Sequence, residues 1–308
     1  MSEMRPKVFI IVPVHNRKAF TERCLYSLEK QTYPNIKIIV VDDGSSDGTF
    51  HLVKTQFPYV TILNAKGDLW WLGCVNLALK HILLQHSNNN NLVLLLNNDL
   101  IFNNDLVEIL VQTHQQYPEA IIGSVESKED SPDIIEHGGN LTNWWLAKNI
   151  RLNVGRSLIE FPSGHIETVS YVTGRGVLIP IHIFKKIGFY DKRYRHRGDN
   201  EFGVRALRHG FKLLVAYDAV VFHIKGDMSD SNRFCYHFSD LYRYLFDERS
   251  YSNLKNILLN SFLCTENPLQ GASFFLFGIT RTLGHFFKNI SMPRNRKFLP
   301  EKSDKNMK

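Results

Sequence analysis

Three polar clusters in this chain have the residue types and spacing to do chemistry. Asp42-Asp43 ends an apolar run at 36–41 and is followed by Gly44, with Asp47 close behind. Two adjacent acids and a third exceed what helix capping needs, and a carboxylate there can accept the N3–H of a uracil or thymine; capping is the plain alternative. Asn97-Asn98-Asp99 follows the most apolar run, 92–96. Asp99 is a hard oxygen ligand suited to Mg²⁺ or Mn²⁺ bridging a diphosphate, and Asn97 can add a neutral oxygen or bind ribose, yet the same tripeptide is an equally good turn. Gly198-Asp199-Asn200-Glu201 opens a helical pattern that carries Arg205 and follows the cationic run 192–197. It reads either as a helix start with first-turn acids or as an acid/base site beside an anionic substrate. His223 closes the apolar stretch 219–222, where a histidine is more often a satisfied turn residue than a ligand. Trp70-Trp71 and Trp144-Trp145 either pack against neighbours or present faces on which a sugar can stack.

These residues must be positioned by the elements between them. Residues 8–12 form a β-rich start that runs into Pro13 and the turn His15-Asn16-Arg17, and an amphipathic helix with Phe20, Cys24, Leu25 and Leu28 follows. Strands are expected at 36–41, 60–63 and 92–96, with helices at about 48–56 and 71–84 between them. Strands alternating with helices, most of them apolar on both faces, predict a largely parallel sheet covered by helices. The polar clusters fall at strand C-terminal ends, where open α/β sheets bind ligands. The second half reads as strands at 121–123, 169–172, 176–179, 211–215 and 219–222, a helix at 198–209, and helices from about 230 to 289. No internal repeat is present.

The 308 residues, 44% hydrophobic and 22% charged, exclude disorder and a disulfide-stapled miniprotein. The net charge is +7, and residues 281–308 carry eight Lys/Arg against two acids, so nearly all the excess lies in the tail. The near-neutral body argues against a nucleic-acid partner, while a basic tail suits an anionic surface. Cys24, Cys74, Cys235 and Cys264 are scattered and are expected to be buried free thiols. The first residues lack the pattern of a signal peptide, and the run 267–280 ends at Arg281, short of a bilayer span.

The order of motifs carries a resemblance. Val12-Pro13-Val14-His15-Asn16-Arg17, then Asp42-Asp43-Gly44-Ser45-Ser46-Asp47-Gly48-Thr49, Asn97-Asn98-Asp99, Thr173-Gly174-Arg175-Gly176, Ile187-Gly188-Phe189-Tyr190-Asp191 and Gly198-Asp199-Asn200-Glu201 with Arg205 together resemble family 2 glycosyltransferases. Within that family the chain is similar to rhamnosyltransferase-type enzymes of bacterial surface polysaccharide synthesis. The resemblance spans about residues 8–223. It implies an α/β fold of the GT-A type, Rossmann-like with a mixed central sheet, over residues 1–230, and a C-terminal helical extension with a basic tail over 231–308.

It also implies roles. Pro13, the Val14 backbone, Asp42 and Asp43 would hold the nucleotide base, with Asn16, Arg17, Asn76, Asn97 and Asn98 completing the nucleotide-sugar contacts. Asp99 would bind Mg²⁺ or Mn²⁺, with His223 as second ligand. Asp199 would be the catalytic base of an inverting transfer from a UDP- or dTDP-linked sugar. Gly174, Arg175, Glu201, Trp70 and Trp71 would meet the donor or acceptor sugar. Two positions depart from the family pattern: Asn97 replaces the first Asp of D-x-D, and Gly198 replaces the Glu that precedes the base. A nucleotidyltransferase, which would carry a Gly-rich loop after the first strand, and a non-catalytic nucleotide-sugar binder are the alternatives.

The segment 267–289 carries Leu269, Phe274, Phe275, Leu276, Phe277, Ile279, Leu283, Phe286 and Phe287. It is expected either to pack on the domain or to lie on a membrane. A saccharide or polyprenyl-linked acceptor and peripheral attachment to the cytoplasmic face of the plasma membrane follow from the second reading.

Overall fold

The computed structural model describes residues 5–86, 88–195, 197–224, 238–248, 250 and 252–290. The first half alternates as the apolar pattern requires: β1 (Val8–Val14), α1 (Lys18–Glu29), β2 (Ile36–Asp42), α2 (Thr49–Gln56), β3 (Thr61–Asn64), α3 (Trp70–Gln85) and β4 (Leu92–Leu95). Then come β5 (Leu100–Phe102), α4 (Leu106–Gln116), β6 (Ala120–Lys128), the hairpin β7 (Asn140–Asn143) and β8 (Lys148–Arg151), β9 (Ile166–Thr168), β10 (Val177–Pro180), α5 (Ile181–Ile187), α6 (Asp199–Arg208) and β11 (Lys212–His223).

Among the described residues the main sheet has the order β3-β2-β1-β4-β10-β6-β11-β5, with β9 on β11. The strands β3, β2, β1 and β4 run parallel, whereas β10 is antiparallel to both its neighbours. The sheet is therefore mixed, as the fold class expected, with its first-half strands β3, β2, β1 and β4 all parallel. In β1 the residues Val8, Ile10 and Val12 pack with α1, α2 and α4, while Phe9 and Ile11 pack with α3 and α5. That alternation is the period of two seen from both sides of a fully covered strand.

Two expectations shift. Residues 211–215 and 219–222 are one strand, β11, whose pairing to β6 slips between Ala216 and Val220. Such an irregularity bends the strand without ending it. Residues 169–172 are not a strand, because Val169 N–H goes to Leu213 and Ser170 N–H to Asn140, which belong to different sheets.

From residue 238 on, most of the described residues are helical, with α7 (Leu241–Phe246), α8 (Leu254–Leu263) and α9 (Pro268–Ile290). Gly271 and Gly278 lie on one face of α9, where a Cβ would come within 2.6 Å of Ser261 O and 2.8 Å of Ile257 Cγ2. Their lack of side chains is what lets α9 lie directly on α8. The hairpin tip joins this layer: Trp144 packs on Phe274, and Ser273 donates to Trp145 O. Cys24, Cys74 and Cys264 are buried free thiols as expected, while Cys235 and the basic residues beyond 290 lie outside the described residues.

Candidate active site

β1 and β2 end side by side, and the turns that follow them are laced together. Asn16 Oδ1 accepts from Ser46 N at 2.9 Å, and Asn16 N donates to Ser45 Oγ at 2.8 Å. The Asp47 carboxylate takes the Lys18 N–H at 2.8 Å and the Thr49 N–H at 3.0 Å, so one side chain serves the first turns of α1 and α2 together. Asp43 is buried, and its two oxygens accept the backbone N–H groups of Gly67, Leu69 and Trp70. Asp42, also buried, accepts from Ser45 N at 2.8 Å. Pro13 pairs with Val41 inside the sheet, and Val14 O takes the Asp43 N–H. The Asp43 oxygens thus fold the loop 65–70, on which Trp70 sits with φ of 59°, while the Asp42 carboxylate folds the turn that follows β2.

Four other residues expected at ligand contacts make hydrogen bonds within the protein. Asn76 Nδ2 donates to Tyr190 O, and its Oδ1 accepts Tyr190 N–H. Asn98 Nδ2 donates to Thr21 Oγ1 at 2.9 Å in a buried position. Both oxygens of Glu201 are taken by Arg205, at 2.7 and 2.8 Å, and Arg205 also binds the carbonyls of Ile187 and Phe189. Asn97 Oδ1 accepts the Trp71 indole N–H at 2.8 Å. Trp71 in turn meets Tyr190 edge to face and covers Gly174 so closely that a Cβ there would sit 2.1 Å from Cη2. Sequence reasoning placed each of these residues near the site but could not see that a protein donor or acceptor already satisfied it. Trp70 lies under the Arg195 guanidinium, 5.5 Å from the ring centre, and Arg195 also pairs with Glu248.

Asp99 remains as the acid at the end of the β4 turn. Its Oδ1 is buried with no hydrogen-bond partner, and its Oδ2 accepts from Arg17 Nη1 at 2.9 Å. An unsatisfied buried carboxylate oxygen fits a cation. His223 pairs with Leu100 where β11 meets β5, and the next residue, Ile224, donates its N–H to Asp99 O, so the His223 backbone runs beside Asp99; its Nε2 lies 3.0 Å from Glu126 Oε2 and 3.4 Å from Arg175 Nη1. Among the described residues no group of three His, Cys, Asp or Glu side chains forms a ready metal site. Asp99 thus offers a divalent ion one unpartnered carboxylate oxygen, while the His223 ring is engaged by Glu126.

Asp199 opens α6, and its Oδ1 is buried without a partner. Burial pushes its carboxyl up to about 6, against the opposing pull of Arg175 and a hydrogen bond from the Gly174 N–H. A carboxyl in that range is mostly ionised at neutrality, and its unpartnered oxygen can take a proton. The site also contains a residue that sequence reasoning missed. Glu126, in β6, binds Arg175, His223 and Thr173. The available signal was an acid directly after the stretch 120–125, inside the same buried strand.

A sequence profile described as "Glycosyl transferase family 2" matches residues 9–171, more than half of the chain. The chain belongs to glycosyl transferase family 2. It is 26% identical over 214 residues to an uncharacterized glycosyltransferase, RT0329, of Rickettsia typhi, covering 66% of this chain and 59% of that protein. A shorter stretch is 41% identical over 49 residues to the GalNAc(5)-diNAcBac-PP-undecaprenol beta-1,3-glucosyltransferase of Campylobacter jejuni, 16% of each chain. The family 2 chain thus spans less than two thirds of these curated relatives. Its fold is similar to that of mannosyltransferase PcManGT of Pyrobaculum calidifontis, solved with GDP-Man and Mn²⁺, at a TM-score of 0.59 and 14% identity over 94% of this chain and 75% of that one. It is also similar to S. aureus TarS 1–349 in complex with UDP, at a TM-score of 0.52 and 15% identity over 90% and 72%. The GT-A glycosyltransferase architecture expected from the motifs is the architecture found.

Proposed function

We propose that this family 2 protein moves a sugar from a nucleoside-diphosphate sugar to a hydroxyl of a saccharide or lipid-linked acceptor, with inversion. The observation that carries the reading is Asp199: a carboxylate at a helix start, raised by burial to about 6, with one oxygen unsatisfied. In this reading Asp199 takes the acceptor proton as the hydroxyl oxygen attacks C1, and the C1–O bond to the diphosphate breaks in line. Arg175 and Arg17 lie where they can meet the departing negative charge, and the Trp71–Gly174 contact fixes the floor beneath the sugar. A divalent ion on Asp99, when bound, would neutralise charge on the diphosphate. Asp42, Asp43, Asn16 and Asp47 act in this scheme as wall builders, holding the turns that enclose the nucleotide.

A lipid-linked acceptor is supported by the C-terminal layer. Leu269, Leu276 and Phe287 stand 71, 64 and 45% exposed on α9 at helical spacing, with Phe238 and Tyr242 nearby in the same layer. Among the described residues no helix is long and apolar enough to cross a membrane. An exposed apolar stripe followed by the basic residues Arg294, Arg296, Lys297, Lys302, Lys305 and Lys308 suits peripheral attachment to an anionic leaflet, with the domain on the cytoplasmic side. The similarity to the Campylobacter enzyme, whose name includes an undecaprenyl diphosphate acceptor, points the same way.

The test is a panel of UDP-, dTDP- and GDP-sugars offered with and without Mn²⁺, scored by nucleoside diphosphate release and by the anomeric configuration of the product. Turnover of one donor, lost in Asp199→Asn with nucleotide binding retained, is the expected outcome. Turnover at the wild-type rate by that variant removes Asp199 from the mechanism.

A further inference from the structure

Glu126 is only 2% exposed, yet it carries a full set of charged and polar partners drawn from three other segments. Arg175 Nη1 lies 2.9 Å from its Oε2, His223 Nε2 3.0 Å from the same oxygen, Thr173 Oγ1 2.7 Å from Oε1, and His137 Nδ1 3.6 Å from Oε1. A buried carboxylate is costly unless such partners surround it. They hold it ionised: burial opposes the charge, but Arg175, the His223 hydrogen bond and His137 bring the carboxyl down to about 2. Arg175 is the next residue after Gly174, whose N–H binds Asp199, and it is the strongest charge acting on that carboxyl. Acid, base and acid therefore follow one another from Glu126 through Arg175 to Asp199.

We propose that Glu126 is a positioning residue of the transfer site, fixing the Arg175 guanidinium beside Asp199 and offsetting part of its charge. The inference deepens the reading of Asp199 as the base and depends on it. Asp199 is faced by Arg175 and Arg197, by Glu126 beyond them, and by the Tyr171 and Tyr190 side chains. With Glu126 ionised, Arg175 remains an aimed donor for the sugar or its diphosphate while the base keeps its affinity for a proton. With Glu126 neutral, the uncompensated guanidinium acts fully on Asp199, and both its position and the strength of the base fall. Thr173 and His223 matter here because they occupy the remaining carboxylate lone pairs and leave Arg175 one geometry.

The experiment is a double-mutant cycle of Glu126→Gln, Arg175→Met and the combined variant. It uses the full chain and whichever panel donor the wild type turns over. Glu126→Gln should lower kcat about tenfold or more while UDP, dTDP or GDP affinity by calorimetry stays within about twofold. The acid limb of its pH–rate profile should move to lower pH. In the Arg175→Met background the same substitution should change kcat by less than about twofold, because its effect passes through Arg175. If Glu126→Gln does not fold, the comparison of Arg175→Met with the combined variant, which strands no cation, still decides. A combined variant far slower than Arg175→Met overturns the proposal, as does a Glu126→Gln enzyme with wild-type kcat and an unmoved acid limb. Equal losses of nucleotide affinity and kcat assign Glu126 a merely structural role. An active Asp199→Asn enzyme refutes the base assignment instead, so the two failures are distinguishable.

Discussion

Arg17 Nη1 donates to Asp99 Oδ2 at 2.9 Å, joining the turn after β1 to the turn after β4 across 82 residues of chain. The guanidinium sits on the same carboxylate that admits a divalent ion, so the two cations compete. An ion pair with this partial exposure is worth about 1 kcal/mol or less. Replacing Arg17 with Met should therefore raise the Mn²⁺ affinity of the donor-free protein by about three- to fivefold. Calorimetry or Mn²⁺ spin resonance with the metal alone reads it. Identical affinities in wild type and variant would free Asp99 from any such competition.

Transfer should depend on pH through Asp199. The base is needed ionised, and its carboxyl is raised to about 6, so kcat/KM should climb with pH through about 6 and level off above it. Asp199→Asn should lose transfer on the order of a hundredfold or more and show no such limb. An unchanged limb in the variant would move the titrating group elsewhere.

The same carboxyl should cost stability when charged. Its pKa rises from the ordinary 3.8 to about 6 on folding, so the folded state binds that proton more tightly than the unfolded chain. Its favourable contribution is complete below about 4 and lost as pH rises through 6, up to about 3 kcal/mol in all. Thermal denaturation should accordingly show Asp199→Asn gaining Tm relative to wild type as pH goes from 4.5 to 7.5. A constant difference over that range would mean the carboxyl sits in open solvent.

Gly174→Ala should be severe. Its Cβ would lie 2.1 Å from Trp71 Cη2, and the ring cannot retreat without breaking its bond to Asn97 or its contact with Tyr190. Overpacking of this kind costs about 1–3 kcal/mol. Donor turnover should fall further than Tm suggests, since the Gly174 N–H also binds Asp199. Wild-type turnover in Gly174→Ala would show that the ring is free to yield.

Vesicle attachment should follow α9. Full-length protein is expected to co-sediment with anionic vesicles at low salt and to release as ionic strength rises. The double change of Leu269 and Leu276 to Ser should abolish it with little effect on Tm, because these two side chains are largely exposed. Equal partitioning of the two proteins would sink the attachment model.

How much of this the sequence disclosed differs from residue to residue. Asp42-Asp43, Asn97-Asn98-Asp99, Asp199 and His223 were placed at strand or helix ends by hydrophobic pattern alone, and the structure puts them there. Their partners were not legible, because partnering is a matter of contact across the fold. Nothing local to Asp43 announces that three N–H groups from 67–70 converge on it. Glu201 and Arg205 are four apart on a helix, a spacing that does predict their pairing, yet the motif drew attention to the acid as a sugar contact. Glu126 escaped notice because an acid in an apolar strand has meaning only once Arg175 and His223 arrive from sequence positions about fifty and a hundred residues away.

The tie between α6 and the C-terminal helices bears on how such a protein can change over evolution. Arg208 reaches the carbonyls of Leu263 and Thr265, Tyr194 donates to Asn260 at 2.8 Å, and Arg195 pairs with Glu248. All three contacts leave from the helix or loop that frames Asp199. A C-terminal segment borrowed from another family member would arrive without matching acceptors and would disturb the base it was never near. Exchange of C-terminal segments within this family should therefore carry residues 192–208 along with the graft, as one inherited block.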